Sequence, residues 1–422
     1  MRTERTLTVF EHQRLRLGQE FETPRGPVTL DPRSFEKLSA FAEHTGALRL
    51  GHRSVITTQY VGTVDLGRLR LEILPKVGKR GEAASWRALL THMVLHAANV
   101  PSHWAPDTAL RVRRMDLLQV LTVRFLDATA QVVRDGLVHD YHEVEETLTV
   151  YRGRLMAASQ LRDNLAHRER FAVAYEAWDT WHPVNRVLAA ALDRVLAEHS
   201  HPELTLRAAE LRAAFPPALP TRSLRPLLSR LRLDRRTRRY KVALQLARLL
   251  LLREGPTADR GEKPIPALLF DMNQLFERYI ARVLRGIPGL KVKSQSQRTF
   301  WRSPAGNRVL KPDLLVWREG ESAPLVIDTK WKRLDDGRPS DTDLRQIFAY
   351  LHLFGGRRGV LLYPDEAGGH PGALGHYEVG TQSCETARVP LLFEGRPDRR
   401  AVTQDLLKLW RMDVLNGSAP TA

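Results

Sequence analysis

Only one cysteine, Cys384, occurs in the chain. An intramolecular disulfide is therefore excluded, and no Cys/His spacing for a zinc site is available. A reducing compartment, the cytoplasm, is the expectation. Long apolar runs are equally scarce. The most apolar stretch, Val242 to Leu252, is interrupted by Gln245 and Arg248 and is too short to span a bilayer, so no membrane segment is expected. The amino-terminal stretch MRTERTLTVFEHQRLRLG is charged and has no apolar centre of signal-peptide length. No Gly-x-x-x-x-Gly-Lys-Ser/Thr loop occurs, which argues against an NTPase in this chain. Carboxylates are outnumbered: 48 Asp and Glu stand against 65 Lys and Arg, for a formal net charge of +17. Such an excess attracts polyanions, nucleic acid first. Arg far outnumbers Lys, however, and a compositional bias of the genome can supply much of it.

The 422 residues suffice for two or three domains with their own cores. Residues 1–110 are expected to be β-rich. Within 62–74, Leu66, Leu69, Leu71 and Ile73 alternate with Arg68, Arg70 and Glu72, the pattern of a half-buried hairpin. A helix is expected over about 85–98. Residues 111–262 are expected to be mainly helical. Pro183 suits a first helical turn, followed by an apolar stripe at Val184, Val187, Leu188, Ala191, Leu192 and Leu196. His139, His142, Glu143, Glu145 and Glu146 lie along an extended segment and are taken as its wet face, not as a metal cluster. The basic run from Arg230 to Lys241 has two readings of equal weight: a phosphate-contacting stripe or a solvated helix start. Residues 255–266, rich in proline and charge, are expected to be a linker. A third domain, 263–422, follows.

That last region holds the stretch around which the chain is organised, VLKPDLLVWREGESAPLVIDTKWK, residues 309–332. Two apolar runs rich in Val, Ile, Leu and Trp, Leu310 to Trp317 and Leu325 to Trp331, bracket a polar turn, as a β-hairpin requires. With the turn centred between Gly320 and Glu321, paired residues sum to 641, so Asp313 lies opposite Asp328. Opposed residues share a face. Lys330, two residues on, shares it too, while Thr329 is expected to point away. Two carboxylates this close repel unless a cation lies between them. A hard ion such as Mg²⁺ takes oxygen ligands and retains waters. The lysine can orient or deprotonate an attacking water, or stabilise developing negative charge. Pro-Asp by itself carries no information, since it also occurs at 106–107, 364–365 and 397–398.

Flanking elements add to the pattern. Asp271 can cap a helix ending at Arg285, with Leu275, Phe276, Tyr279, Ile280, Val283 and Leu284 as its buried stripe. Glu277 lies beside that stripe, where it either reaches over a sheet edge toward a metal or faces solvent. Ser340 to Asp343 has capping-box form. It opens a second helix with a stripe at Leu344, Ile347, Phe348, Leu351 and Phe354, and with Gln346 and Tyr350 on another face. Residues 359–363 are expected to form a buried strand. The order of elements predicts an α/β domain with a mixed sheet. The proline- and glycine-rich stretch 364–373 and the Ser-Ala-Pro-Thr-Ala end are expected to be loops and a frayed tail.

The Pro-Asp…Asp-x-Lys pattern resembles the PD-(D/E)xK nuclease superfamily. The stretch YVGTVDLGRLRLEILPKVG, Gly136, Tyr141, Arg152 to Leu155, and FDMNQLFERYIARVL resemble segments of the McrC family, the nuclease subunits of McrBC-type modification-dependent restriction systems. Asp343, Gln346 and Tyr350 match the Asp-x-x-Gln-x-x-x-Tyr form of such enzymes. The resemblance implies a multidomain α/β protein ending in a restriction-endonuclease-like domain. It implies Mg²⁺-dependent cleavage of DNA, with Asp313, Asp328, Glu277 and the backbone carbonyl of Thr329 holding the metal. Lys330 would act on the water or the phosphate, and Gln346 and Tyr350 would orient the strand or the groups around it. A hexameric McrB-like AAA+ GTPase is the implied partner. A non-catalytic activator of that motor and a stand-alone repair or defence nuclease are the rival expectations.

Overall fold

The computed structural model describes residues 5–23, 26–76, 82–100, 115–198, 201–252, 265–304, 306–332, 334, 338–365, 373–393 and 395–411. The predicted boundary near 110 and most of the predicted linker lie outside these residues. The chain forms two compact units, one of residues 1–120 together with 254–422, the other of residues 121–253.

The first unit contains two principal sheets. One is four-stranded, in the order Arg5–Phe10, Leu69–Leu74, Tyr60–Asp65, Ala267–Asp271. The first pair is parallel and the other two are antiparallel. Strands from either side of residues 121–253 thus share a single ladder. Gly62 sits at that junction: a Cβ there would lie 2.0 Å from the Leu268 carbonyl oxygen, and its φ is +134°, so only glycine fits.

The alternation at 69–74 does not yield a wet face. Arg70 is 1% exposed and Glu72 0%. Each has a partner that offsets its burial. Arg87, from the helix Ala83–Ala97, donates to both oxygens of Glu72 at 2.7 and 2.5 Å, and Thr8 Oγ1 donates to Glu72 at 2.9 Å. Arg70 Nη1 reaches Asp116 Oδ2 at 3.2 Å. A buried ion needs such a partner, and the partners come from far along the chain, so the alternation alone reads as half-buried.

The second sheet is six-stranded and mixed, in the order Leu290–Ser294, Leu314–Arg318, Leu325–Thr329, Arg358–Asp365, Gln382–Pro390, Ala373–Val379. Leu314 pairs with Ile327, Leu315 with Val326 and Val316 with Leu325, which is the register expected for the hairpin. The strands Leu325–Thr329 and Arg358–Asp365 run parallel, so a crossover must join them. The helix Asp341–Phe354 supplies it. Ser340 Oγ accepts from Asp343 N–H at its start, and Gly355, with φ +70°, ends it. Ile347, Tyr350, Leu351 and Phe354 pack on Leu315, Val326, Leu361 and Tyr363.

Two local expectations are corrected. Phe348 is 45% exposed and Tyr350 is buried in its place, because the sheet meets the helix along the 343–347–350–354 line. The run expected to extend from Leu310 is split: Leu310 ends a separate hairpin, Arg298–Trp301 with Arg308–Leu310, and the sheet strand opens only at Leu314. Pro312, which has no N–H for a ladder, lies at the break. Most of the stretch 364–373 and the final residues, expected as loops and a frayed tail, lie outside the described residues, and residues 373–411 add two sheet strands and a helix, Arg399–Arg411.

In the second unit, Asp140–Leu148 pairs along nine residues with Phe171–Asp179. Residues 171–179 are therefore a strand where helix was expected. Helices Pro183–Glu198, Pro202–Arg212, Thr221–Arg230 and Lys241–Leu252 follow. Tyr240 ties them together: its hydroxyl donates to Asn185 Oδ1 at 2.7 Å and accepts from Val138 N–H at 2.8 Å.

Candidate active site

The edge where the hairpin meets the crossover helix brings together the six side chains singled out in the sequence. Asp313 precedes its strand by one residue, so the pleat does not fix its side chain. It turns over the end of the neighbouring strand, and its Oδ2 accepts from Thr329 N–H at 2.8 Å and Thr329 Oγ1 at 2.7 Å. Thr329 therefore faces Asp313 through its hydroxyl and does not point away as expected.

Asp328 is 2% exposed. Burial, and then the charge of Asp313, push its carboxyl up to about 6. Burial likewise raises the Asp313 carboxyl, against the two bonds from Thr329. Lys330 Nζ lies 2.7 Å from Asp328 Oδ2 and 3.4 Å from Asp343 Oδ1, and donates to Gln346 Oε1 at 2.8 Å. Burial alone would lower its pKa; Asp328 and Asp343 outweigh that and raise it. Lys330 is thus an ammonium at neutral pH. Gln346 Nε2 in turn donates to the Tyr350 hydroxyl at 2.7 Å.

Glu277 does not face solvent. It lies among the buried residues of the helix Met272–Arg285, whose N-terminus is capped by Asp271. Burial raises its carboxyl to about 7, and Asp313 adds to the effect. Its Oε1 accepts from Gln295 Nε2 at 2.5 Å.

Two further residues join the site: Gln295, which the sequence did not single out, and Asp343, which it matched to the Asp-x-x-Gln-x-x-x-Tyr form without a role of its own. Gln295 ends the strand Leu290–Ser294 with φ +56°, and its N–H donates to the Asp313 carbonyl at 3.0 Å. Nothing local in the sequence marks a glutamine for this post. Asp343 is a hub as well as a cap: Lys332 Nζ donates to its Oδ2 at 2.6 Å, and the Tyr363 hydroxyl at 3.4 Å. Its place in the Asp-x-x-Gln-x-x-x-Tyr spacing was the signal available.

The donor set is one of hard oxygens. Among the described residues no group of three or more His, Cys, Asp or Glu side chains is placed to hold a metal ion. Half-buried Asp313 lies close enough to buried Asp328 for its charge to raise that carboxyl, and such a pair fits an ion that keeps most of its waters, such as Mg²⁺, and not a closed structural zinc site.

The other candidates fall elsewhere. His142 Nδ1 lies 3.3 Å from Asp179, Glu143 pairs with Arg154 at 3.0 Å, and Glu146 accepts from the Tyr175 hydroxyl. In the basic run, Arg236 lies 3.6 Å from Asp234, and Arg239 donates to the Gly136 carbonyl at 2.9 Å. No described helix is long and apolar enough to cross a membrane.

Comparison with known proteins places this geometry in context. Residues 55–364 match the family described as McrBC 5-methylcytosine restriction system component. No curated protein matches. Among solved structures, the chain resembles one in an assembly from Thermococcus gammatolerans described as McrB AAA+ hexamers with bound McrC. The TM-score is 0.65 and the identity 20%, over 96% of this chain and 100% of the other. A chain of the McrBC complex of the same organism matches with a TM-score of 0.46 and 21% identity, over 66% and 87% of the two chains.

Proposed function

The chain belongs to the family of McrBC 5-methylcytosine restriction system components, and from that premise we propose that it is the DNA-cleaving subunit of such a system, with a PD-(D/E)xK nuclease site. The observation that carries the proposal is the pair of half-buried Asp313 and buried Asp328, at the ends of adjacent strands beside the Lys330 ammonium. Burying two like charges is costly unless a cation offsets them.

Asp313 and Asp328 would hold Mg²⁺, with Glu277 and the Thr329 carbonyl assisting. When bound, the ion supplies Lewis-acid polarisation of the phosphate and a more acidic water. The chain's own groups do the rest. Thr329 fixes the rotamer of Asp313 through two bonds. Lys330, kept protonated by Asp328 and Asp343, meets the negative charge that grows on the phosphate oxygens as water adds. Because it is already an ammonium, charge stabilisation and water positioning suit it better than proton abstraction. Gln346 aims Lys330, and Tyr350 holds Gln346. The proposed partner is an AAA+ hexamer of the McrB kind that hydrolyses GTP; the structural neighbour is a McrC bound to McrB AAA+ hexamers.

Plasmid DNA with and without 5-methylcytosine, incubated with Mg²⁺, the AAA+ protein and GTP, tests this reading. Wild type should cut only with the partner. Asp328→Ala and Lys330→Ala should each lose about 100-fold or more in rate, the scale of removing a transition-state charge donor. Cutting without the partner, equally lost in both variants, would mark a stand-alone nuclease. No cutting under any condition, with GTP hydrolysis still stimulated by both variants, would mark a non-catalytic activator.

A further inference from the structure

Between Leu290 and Asp313 the sequence carries Lys291, Lys293, Arg298, Arg302, Arg308 and Lys311, and no Asp or Glu. The chain leaves the six-stranded sheet at Gln295 and returns at Asp313. Gln295 bonds both to Glu277 and to the Asp313 backbone, so this excursion is rooted between two of the site carboxylates. Its body is the hairpin Arg298–Trp301 with Arg308–Leu310.

The hairpin leans on the crossover helix. Arg298 Nη1 donates to the Leu353 carbonyl at 2.8 Å, and its guanidinium lies 5.2 Å from the Phe354 ring centre. All four residues of Arg298–Trp301 are nonetheless exposed. Trp301 is 68% exposed and Phe300 42%, with their rings 6.1 Å apart at 61°. A register shift between Thr299 and Trp301 interrupts the ladder there. Bulges of this kind re-aim side chains and are frequent beside active sites. A two-stranded ribbon that buries so little is marginal alone, and adjacent exposed aromatics mark a contact surface. The charge selects the occupant: four cations of the excursion, Arg298, Arg302, Arg308 and Lys311, with no carboxylate between Gln295 and Pro312, suit a polyanion, and aromatic faces suit sugars and bases.

We propose that this hairpin is the DNA grip of the cleavage site: Arg302, Arg308 and Lys311 contact phosphates beside the scissile one, and Phe300 and Trp301 pack on sugars or bases. This rests on the nuclease reading above. The grip holds the duplex where Asp313 begins, so the hairpin positions the substrate and does no chemistry.

The test is duplex binding by the full chain across a salt series, in an Asp328→Ala background so that cleavage cannot intervene. The triple variant Arg302→Ala, Arg308→Ala, Lys311→Ala should flatten the slope of log K against log salt by about 2 to 3, since each phosphate contact contributes about 0.9. Trp301→Ala should weaken binding by about 5- to 100-fold at every salt concentration, with the slope unchanged, and Trp301→Phe should restore most of it. All substituted positions except Asp328 are exposed, and a thermal melt within a few degrees of the parent verifies folding. Unchanged affinity and slope in these variants, or no DNA binding by the parent, would overturn the grip. So would intact DNA binding with loss only of GTPase stimulation, which would assign the hairpin to a protein partner. DNA binding that depends on Trp301 in a wild-type chain that never cuts would sink the nuclease reading and leave the grip standing.

Discussion

At the scale of single residues the site is a set of ionisation states imposed by burial. Glu277 is raised to about 7 and Asp328 to about 6. On the proposed reading both must be ionised to hold a cation, so activity should be present above these values and fall as pH drops through 7 toward 6. Metal and proton compete for the same oxygens. A tenfold rise in Mg²⁺ should therefore move the acidic limb to lower pH. A pH–rate profile at two Mg²⁺ concentrations measures this, and a limb that stays fixed would remove the carboxylates from metal binding. Gln295 offers a finer check. Its bond to Glu277 counters the rise, so Gln295→Ala should shift the same limb to higher pH.

At the scale of elements, Glu11 links the first strand to the site strand. The Trp331 indole N–H lies 3.2 and 3.1 Å from its two oxygens, and Lys76 N–H donates to it at 2.7 Å. Trp331 also packs edge-on against Phe276 at 5.4 Å. The residue after Lys330 is thereby fixed from two sides. Burial pushes the Glu11 carboxyl from 4.5 up to about 7. A folded pKa above the unfolded one means that the native state holds the proton more tightly. Stability is then greatest below 4.5 and is lost as pH rises to 7, by about 3 kcal/mol in total. Glu11→Gln cannot titrate, so relative to wild type it should gain up to that amount between pH 5 and pH 8. Denaturant midpoints at pH 5, 6.5 and 8 read it directly. Parallel pH dependence in the two proteins would show that Glu11 ionises freely in the fold.

These links also show what a sequence can carry. The hairpin register was legible because two short apolar runs and one turn determine it locally, and Asp313, Asp328 and Lys330 followed from it. Helix caps at Asp271 and Ser340 were legible for the same reason. Glu11, Gln295, Arg70 and Glu72 were not. Each owes its role to a partner far along the chain, 320 positions away for Glu11 and Trp331, and no local pattern distinguishes a buried, partnered charge from a solvated one. The strands after residue 370 were missed because they add to an edge set by earlier strands, and their own sequence alternates only weakly.

At the scale of the whole molecule, a shared sheet argues against an autonomous C-terminal nuclease. Ala267–Asp271 pairs only with Tyr60–Asp65 within its sheet. Met272 N–H donates to the Gln59 carbonyl at 3.0 Å, so even the helix that carries Glu277 starts from a residue bonded to the amino-terminal region. That helix packs on Ala83–Ala97, where the His92 and His96 rings meet Tyr279 at centroid distances of 5.7 and 5.3 Å. A fragment of residues 263–422 would expose an unpaired strand edge, the face around Tyr279 and Phe276, and Trp331 without its acceptor. Unpaired edges and apolar faces drive aggregation. This fragment, expressed alone, should be insoluble or lack a cooperative melt. Co-expressed with residues 1–262, it should co-purify as a folded pair and recover Mg²⁺-dependent cleavage with the AAA+ partner. A soluble 263–422 that melts cooperatively and binds DNA like the full chain would show that the shared sheet is dispensable for the site. The co-purified pair would instead show that the amino-terminal strands are part of the machinery that holds Asp313, Asp328 and Glu277 in place.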